Sequence, residues 1–203
     1  MRFVEVSGVV VGDYCNKKIS ICSKDTNGVV KAQIPRMYMP FGVSKFTPPV
    51  GVPKFNIDFS MKGWNEDGNY VNRFYDFVRD IENKVKTKVN EQSVDIFGSQ
   101  LSETEINGMF NSNIKESPGR DPRFRVKIAP GASVFDVNND ELTDELNDRL
   151  YSQHSGVPMV EIVSVYFMNR MFGITWKVNQ LKIYEPQRLK GFHFQLQEDE
   201  PAF

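Results

Sequence analysis

The chain has few of the residues that build disulfide frameworks or metal centres, and it has no long apolar run. Its 203 residues include two cysteines and two histidines, which excludes a disulfide-stapled fold and predicts a reducing compartment, the nucleus or the cytoplasm. No segment approaches the roughly 18 consecutive apolar residues of a transmembrane helix, so we expect no membrane partner. Met1 to Gly12 alternates and lacks a small-residue cleavage site, which favours mature sequence over a signal peptide.

Motifs of common enzyme classes are also absent. The sequence has no phosphate-binding loop, no Gly-x-Gly-x-x-Gly and no Gly-x-Ser-x-Gly. His154 and His193 have no cysteine at metal-ligand spacing. Neither Cys15 nor Cys22 lies beside a histidine that would activate it, and both are interpreted as small core residues. We therefore expect no enzyme activity and no cofactor.

Acidic residues do not form a convincing metal site either. Segment 136–140 (DVNND) has the spacing of a calcium-loop start, but Glu141 stands where that loop needs glycine. A solvated acidic loop is the better interpretation. Asp58 and Glu161 are isolated carboxylates, and we reject a two-metal site built on them.

Positive charge is concentrated in a few segments, although the formal net charge of the chain is only -1. Residues 1–62 carry 9 basic and 4 acidic groups, 120–135 carry 4 and 1, and 162–197 carry 5 and 1. These blocks coincide with predicted strands. If the strands share one sheet, that sheet has a basic face; the alternative is a chance fluctuation of small counts.

Alternating and β-branched segments predict a mainly β fold with helices. Short strands are expected at Phe3 to Val11, Lys18 to Ser23 and Gly28 to Ile34. Pro53 to Met61 alternates apolar and polar residues strictly and is the clearest strand. Between them, the proline-rich segment Arg36 to Pro53 is expected to be an ordered apolar loop.

More strands are predicted in the second half of the chain. Cationic and apolar residues alternate in 123–128 (RFRVKI), which gives a strand with one cationic face. Two long strands are expected at Met159 to Phe167 and Gly173 to Tyr184, and a last short one at Gly191 to Leu196.

Helices are expected between these strands. Asn69 is the predicted cap of a long amphipathic helix. Its apolar stripe consists of Tyr70, Phe74, Phe77, Val78, Ile81, Val85 and Val89. Ser102 to Glu105 has the spacing of a capping box that begins a second helix, and Leu142, Leu146 and Leu150 suggest a third. Asn113 to Asp121 is expected to be a mobile loop.

The predicted strands combine cations with aromatic residues, as single-stranded nucleic acid requires. Cations neutralise phosphates, and stacking on an aromatic ring contributes about 1–3 kcal/mol per base. The candidate DNA-binding residues are Arg120, Arg123, Arg125, Lys127, Tyr166, Arg170, Phe172, Trp176 and Lys177. For Trp176 and Phe167 the alternative is a core position, and for the cations of the 123–128 strand it is a solvated face.

The C-terminal tail adds a second signal, because it joins acidic residues to a terminal aromatic residue. These residues are Glu198, Asp199, Glu200 and Phe203. Such a tail could occupy the protein's own cationic groove until DNA displaces it.

The order of these segments resembles the single-stranded-DNA-binding proteins of the T-seven-like phages, in particular their relatives in large DNA viruses of algae and protists. The resemblance rests on PKFNIDFSM, the long helix after it, RFRVKI, the pair VEIVSVYF and GITWKVNQLKIY, and the acidic tail ending in Phe203. It runs from about Pro53 to Tyr184 and includes the C-terminus. The acidic part of the tail is shorter here than the long acidic run of the phage proteins.

That resemblance implies an OB-fold-like five-stranded barrel with an inserted long helix and extra strands, over residues 1–197, followed by the tail at 198–203. It also implies sequence-independent binding of single-stranded DNA in viral DNA replication, recombination or repair. Through the tail it implies contacts with DNA polymerase and with helicase or primase, and a homodimer that exchanges tails.

A minor capsid protein is the alternative function class. It too would be rich in strands and non-catalytic, and the apolar segment Met37 to Phe46 would be its docking loop. DNA affinity that falls steeply with salt distinguishes the binding protein from the capsid component.

Overall fold

The structure, a computed structural model, describes residues 5–143 and 146–186. The predicted strand at Gly191 to Leu196, the tail at 198–203 and the start of the predicted first strand lie outside the described residues. In the described part, no helix is long and apolar enough to span a membrane.

Eleven strands of the described chain form one sheet. They are β1 (Val9–Cys15), β2 (Lys18–Ser23), β3 (Val30–Gln33), β4 (Met37–Tyr38), β5 (Val43–Phe46), β6 (Lys54–Ser60), β7 (Ile114–Ser117), β8 (Arg120–Phe135), β9 (Glu141–Leu142), β10 (Ser155–Met168) and β11 (Met171–Tyr184). The α-helices are α1 (Tyr70–Glu91), α2 (Ser93–Phe97) and α3 (Glu103–Met109).

Five of these strands close into a ring. β10 pairs with β11, β11 with β8, β8 with β6 and β6 with β4, and β4 returns to β10 through Met37 and Gly156. The pairing of β8 with β11 is parallel, and the other four are antiparallel. The expected mainly β fold, with a five-stranded barrel, an inserted long helix and extra strands, is confirmed.

Inward-facing side chains of the barrel and one face of α1 form the core. Phe59 and Phe124 are fully buried, and Trp176 is 1% exposed. From α1, the ring of Phe74 meets Phe124 at a centroid distance of 5.0 Å, and that of Phe77 meets Trp176 at 6.4 Å, both edge to face. Such pairs add about 0.5–1.5 kcal/mol beyond burial, so they fix the helix against β8 and β11.

The predicted starts of α1 and α3 are confirmed. The Asn69 side chain accepts a hydrogen bond from the backbone N–H of Val71 at 2.9 Å, and Ser102 and Glu105 form the reciprocal capping box. Tyr70 does not belong to the buried stripe, since it is 65% exposed. Each residue turns the helix by about 100°, and Val71 rather than Tyr70 lies on the buried face.

The predicted mobile loop at Asn113 to Asp121 is wrong, because most of it is a hairpin. β7 pairs with β8 through Ile114 and Phe124. Gly119, with a φ of 69°, turns the chain between the two strands. The pair Pro118 and Gly119 therefore indicates a tight turn rather than a mobile loop.

The predicted third helix is also wrong. Leu142 lies in β9, and the described residues from Leu146 to Leu150 form turns and irregular backbone. All three leucines of this pattern pack partly buried against the core. Their spacing therefore reflects burial of separate turns and not one helical face.

Smaller corrections concern the N-terminal half. In the described part of the predicted strand Phe3 to Val11, a 3-10 turn occupies Val6–Gly8 and β1 begins at Val9. The segment expected to be a loop, Arg36 to Pro53, contains the short strands β4 and β5. Cys15 is exposed rather than a core residue, and Cys22 is only partly buried.

Candidate nucleic-acid interface

The outer face of β8 carries the cations that its alternation predicts. Phe124 and Val126 are 0% and 1% exposed. Arg123, Arg125 and Lys127 alternate with them and therefore point away from the core. The side chains of Arg123 and Arg125 are 23% and 49% exposed.

Asp58 of β6 holds two of these cations. It is 5% exposed and lies opposite Arg125 in the register of β6 and β8. Arg125 donates two hydrogen bonds to its carboxylate, at 2.7 Å from Nε and 2.9 Å from Nη2. Arg123 donates one from Nη1 at 3.2 Å. Two cations of the predicted cationic face therefore share a buried counter-ion.

Lysines from three neighbouring strands lie together beyond this ion pair. Lys127 is in register with Lys177 of β11 and with Asn56 of β6, two residues from Lys54. Burial lowers the pKa of Lys127, and the charges of Lys54 and Lys177 lower it further. Within the described residues, none of these lysines forms an ion pair. Glu161 of β10 lies opposite Lys177 in register, so the cluster of three lysines has one neighbouring carboxylate and a net positive charge that favours a bound anion.

A cavity of about 200 Å³ lies beside Lys127, where β8 and β11 diverge. The parallel pairing of these strands begins at Lys127 and Lys177. Before that point in each strand, residues 111–113 lie between the two strands. The backbone N–H of Asn111 donates to Phe172 O, and that of Arg125 donates to Asn113 O, both at 2.8 Å. The polar residues that line this cavity are Asn56, Asn111, Ser112, Asn113, Lys115, Arg125, Lys127 and Tyr166.

Tyr166 contributes a partly exposed ring to this cavity. Its hydroxyl accepts a hydrogen bond from Asn111 Nδ2 at 2.9 Å, and Lys127 Nζ lies 5.6 Å from the ring centroid. The ring is therefore held in place beside a cation.

A buried carboxylate of α1 fixes the inserted segment. Glu82 is 1% exposed and accepts hydrogen bonds from Ser112 Oγ at 2.7 Å and from the backbone N–H of Asn113 at 3.0 Å. Burial raises the pKa of Glu82, while the two hydrogen bonds oppose that rise. The helix thus positions one wall of the cavity.

A second, larger groove of about 800 Å³ lies on the other side of Asp58. Arg123, which shares Asp58 with Arg125, lines this groove, and its guanidinium carbon is 5.2 Å from the ring centroid of Phe41. We call this surface the Phe41 groove; it is formed mainly by Tyr38, Phe41, Lys62, Arg120, Asp121 and Arg123.

Two predicted stacking residues, Phe172 and Trp176, belong to the core. They are 0% and 1% exposed, and the Phe172 ring packs on Phe110 and Phe167 at centroid distances of 5.2 and 5.9 Å. A buried ring cannot stack on a base without unpacking the barrel, so this prediction is wrong. Trp176 borders the cavity only from the core side.

Arg170 is brought to neither cavity. It lies in the turn between β10 and β11 with a φ of 62°. Hydrogen bonds from Ser102 lower the pKa of Glu105 of α3, and the charge of Arg170 adds to that effect. By contrast, Arg120 begins β8 and lines the Phe41 groove. The tail residues Glu198, Asp199, Glu200 and Phe203 lie outside the described residues.

The acidic segment 136–140 folds on itself. The carboxylate of Asp136 accepts hydrogen bonds from the backbone N–H groups of Asn138 and Asp140, at 2.7 and 3.0 Å. Over the described ranges, no group of three or more His, Cys, Asp or Glu residues could hold a metal ion.

Sequence reasoning missed several residues of these surfaces, and it considered Asp58 only as a metal ligand. The polar face of the strand Pro53 to Met61 was the available signal, because it carries Lys54, Asn56 and Asp58. The sequence does not show that Asp58 pairs with Arg125, because this contact depends on the register of β6 against β8. The other missed residues are Tyr38, Phe41, Glu82, Asn111, Asn113 and Lys115.

Comparison with known proteins gives one family and several solved structures. The model of a family described as "Family of unknown function (DUF5871)" matches residues 68–195. Gp2.5, a single-stranded DNA binding protein encoded by bacteriophage T7, has a similar structure, with a TM-score of 0.52 and 11% identity over 86% of this chain and 99% of that chain. The single-stranded DNA-binding protein from bacteriophage Enc34, in complex with single-stranded DNA, gives a TM-score of 0.44 and 12% identity over 90% of this chain and 98% of that one. No curated protein matches the chain in sequence. The likeness to gp2.5 shows a shared fold.

Proposed function

The chain belongs to the family of unknown function DUF5871, and we propose that it is a non-enzymatic protein that binds single-stranded DNA without marked sequence preference. The observation that carries the proposal is the unpaired lysine cluster of Lys54, Lys127 and Lys177 beside the fixed ring of Tyr166. The shared fold with gp2.5, whose name states that it binds single-stranded DNA, supports the same conclusion.

The chemistry of the surface favours a single strand over a duplex. Lysines can follow the phosphates, while a ring such as that of Tyr166 needs an unstacked base. In a duplex the bases are already stacked on each other, so the ring would contribute nothing. A duplex would retain the phosphate contacts alone.

We further propose a role in viral DNA replication, recombination or repair. In this role the tail 198–203 competes with DNA for the cationic surface and contacts DNA polymerase and helicase or primase, and two chains exchange tails in a homodimer. The charge of the tail, with three acidic residues, is complementary to the lysine cluster.

A titration of labelled oligo(dT) at several salt concentrations, with duplex as competitor, tests the function. We expect binding whose logarithmic salt dependence has a slope of about 0.7 per phosphate contacted, and weak competition by duplex. Equal affinity for duplex and single strand, or affinity independent of salt, would refute the proposal. The second result would favour a minor capsid protein.

A further inference from the structure

We propose that the Phe41 groove is a second base-stacking site, which takes the part of a single strand that extends past the lysine cluster. This inference rests on the proposed function and assigns a task to the proline-rich segment between β3 and β6. The ligand is the same strand and not a separate nucleotide.

Two aromatic side chains of the groove are accessible. Tyr38 is 44% exposed and Phe41 is 49% exposed. Unlike Phe172 and Trp176, these rings need no unpacking of the core to meet a base. At about 800 Å³, the groove has room for more than one base.

The loop that carries Phe41 is held by hydrogen bonds on both sides. The backbone N–H of Met39 donates to His154 O at 2.8 Å, and that of Val43 donates to Leu150 O at 2.9 Å. Between them, Ser152 Oγ donates to Pro40 O at 3.3 Å. A ring on such a loop is pre-organised, so little conformational entropy is lost when a base stacks on it.

Cations accompany the rings, as a path for a phosphate backbone requires. Arg120, Arg123 and Lys62 line the groove with one acidic residue, Asp121. Arg123 is oriented by Asp58 at 3.2 Å and by Ser117 Oγ at 3.3 Å, which keeps its guanidinium over the Phe41 ring.

Strand β8 runs from the groove to the lysine cluster. Arg120 and Lys127 are seven positions apart, or about 23 Å at about 3.3 Å per residue. Both ends lie on the same strand, and Asp58 holds Arg123 and Arg125 between them. A strand of several nucleotides could therefore contact both surfaces at once.

A second copy of the chain is the less suitable occupant. In a two-fold interface the same patch faces itself, so Arg120, Arg123 and Lys62 would oppose their own counterparts. Like charges brought together in this way disfavour association. Single-stranded DNA, which carries both phosphates and flat bases, is complementary to the cations and to the aromatic rings of the groove.

The test compares Phe41→Ala with Tyr70→Ala in the full chain. Tyr70 at the start of α1 is 65% exposed and has an arginine beside its ring, as Phe41 has, but it lines neither the Phe41 groove nor the cavity beside Lys127. We expect Phe41→Ala to weaken binding of a long oligo(dT) by about five- to 150-fold, the loss of one stacked base, and Tyr70→Ala to leave it unchanged.

Two further variants separate stacking from apolar contact. Phe41→Trp should retain the affinity, and Phe41→Leu should lose it, because leucine has no flat π-face. Photo-crosslinking of oligo(dT) should label the peptide that contains Tyr38 and Phe41. Folding of every variant is checked by its thermal transition.

The outcomes distinguish this inference from the proposed function. If the wild-type chain binds no oligo(dT), the proposed function fails and this site fails with it. If the wild type binds but Phe41→Ala and Tyr70→Ala behave alike, only the second stacking site is overturned. A change in sedimentation without a change in DNA affinity would assign the groove to protein association and also overturn it.

Discussion

Replacement of Asp58 by asparagine is expected to change stability and DNA affinity in opposite directions. The buried carboxylate accepts three hydrogen bonds from the guanidinium groups of Arg123 and Arg125. Asparagine keeps one oxygen for these donors, but it removes the negative charge. The two arginines then lose their counter-ion while remaining partly buried.

The loss of stability can be bounded from the exposure of the three side chains. Breaking a fully buried ion pair costs about 3–5 kcal/mol, but about half of the Arg125 side chain is exposed, so water screens much of its charge. We expect a loss of about 2 kcal/mol, which in a chain of this length lowers the melting temperature by about 4–8 °C.

DNA affinity should rise because both guanidinium groups are freed for phosphates. At low salt the variant should bind oligo(dT) more tightly, and the salt slope should steepen by about 0.7 for each new contact. Asp121→Asn is the matched control, since it removes the same charge from an exposed position on β8. It should leave the melting temperature nearly unchanged and steepen the slope less.

Thermal unfolding and salt-dependent anisotropy on both variants decide the matter. An Asp58→Asn protein with an unchanged or shallower slope would show that the arginines do not reach phosphates. An unchanged melting temperature would show that the ion pair contributes nothing to the fold.

Three other predictions follow from the same surfaces. Lys127→Ala should make the salt slope shallower by about 0.7 and leave the fold intact, because the lysine forms no ion pair within the described residues; an unchanged slope assigns the lysine to solvent. Deletion of residues 198–203 removes three acidic residues and takes the formal charge from -1 to +2, so oligo(dT) should bind more tightly at low salt; equal affinity would leave the tail without a competing role. Burial raises the pKa of Glu82 above its ordinary value of 4.5. The carboxyl group therefore stays protonated to a higher pH in the folded state than in the unfolded state. The free energy of unfolding should fall as the pH rises from the unfolded-state pKa through the folded-state pKa. Glu82→Gln should remove this fall in denaturant unfolding at stepped pH, and parallel pH profiles of wild type and variant would contradict it.

The sequence was sufficient for elements whose signal is local. Periodicity and capping predicted α1 and α3, because the cap at Asn69 and the box at Ser102 depend on residues at most three positions apart. The alternation of Arg123 to Ile128 likewise predicted one buried and one cationic face of β8. These predictions need no knowledge of which strands are neighbours.

Long-range pairing could not be read from the same patterns. Asp58 and Arg125 are 67 positions apart, and the ring closes through Met37 and Gly156. Aromatic residues were misassigned for the same reason. Trp176 and Tyr166 both lie in strands. The Trp176 ring is buried because it faces α1, and the sequence alone does not show which face of the sheet the helix covers.

Register between β6 and β8 connects the stability of the barrel to its charge. Because side chains alternate along a strand, a shift of one residue would turn Asp58 into the core beside Phe124 and turn Phe59 out of it. Burial of an unpaired carboxylate and exposure of Phe59 are both costly, so the apolar pattern of β6 and the ion pair with Arg125 favour the same register. The same register sets Asn56 beside Lys127 and keeps Lys54 near it. The residue that neutralises two cations is therefore also the one that aligns the unpaired lysines on which we expect DNA to bind.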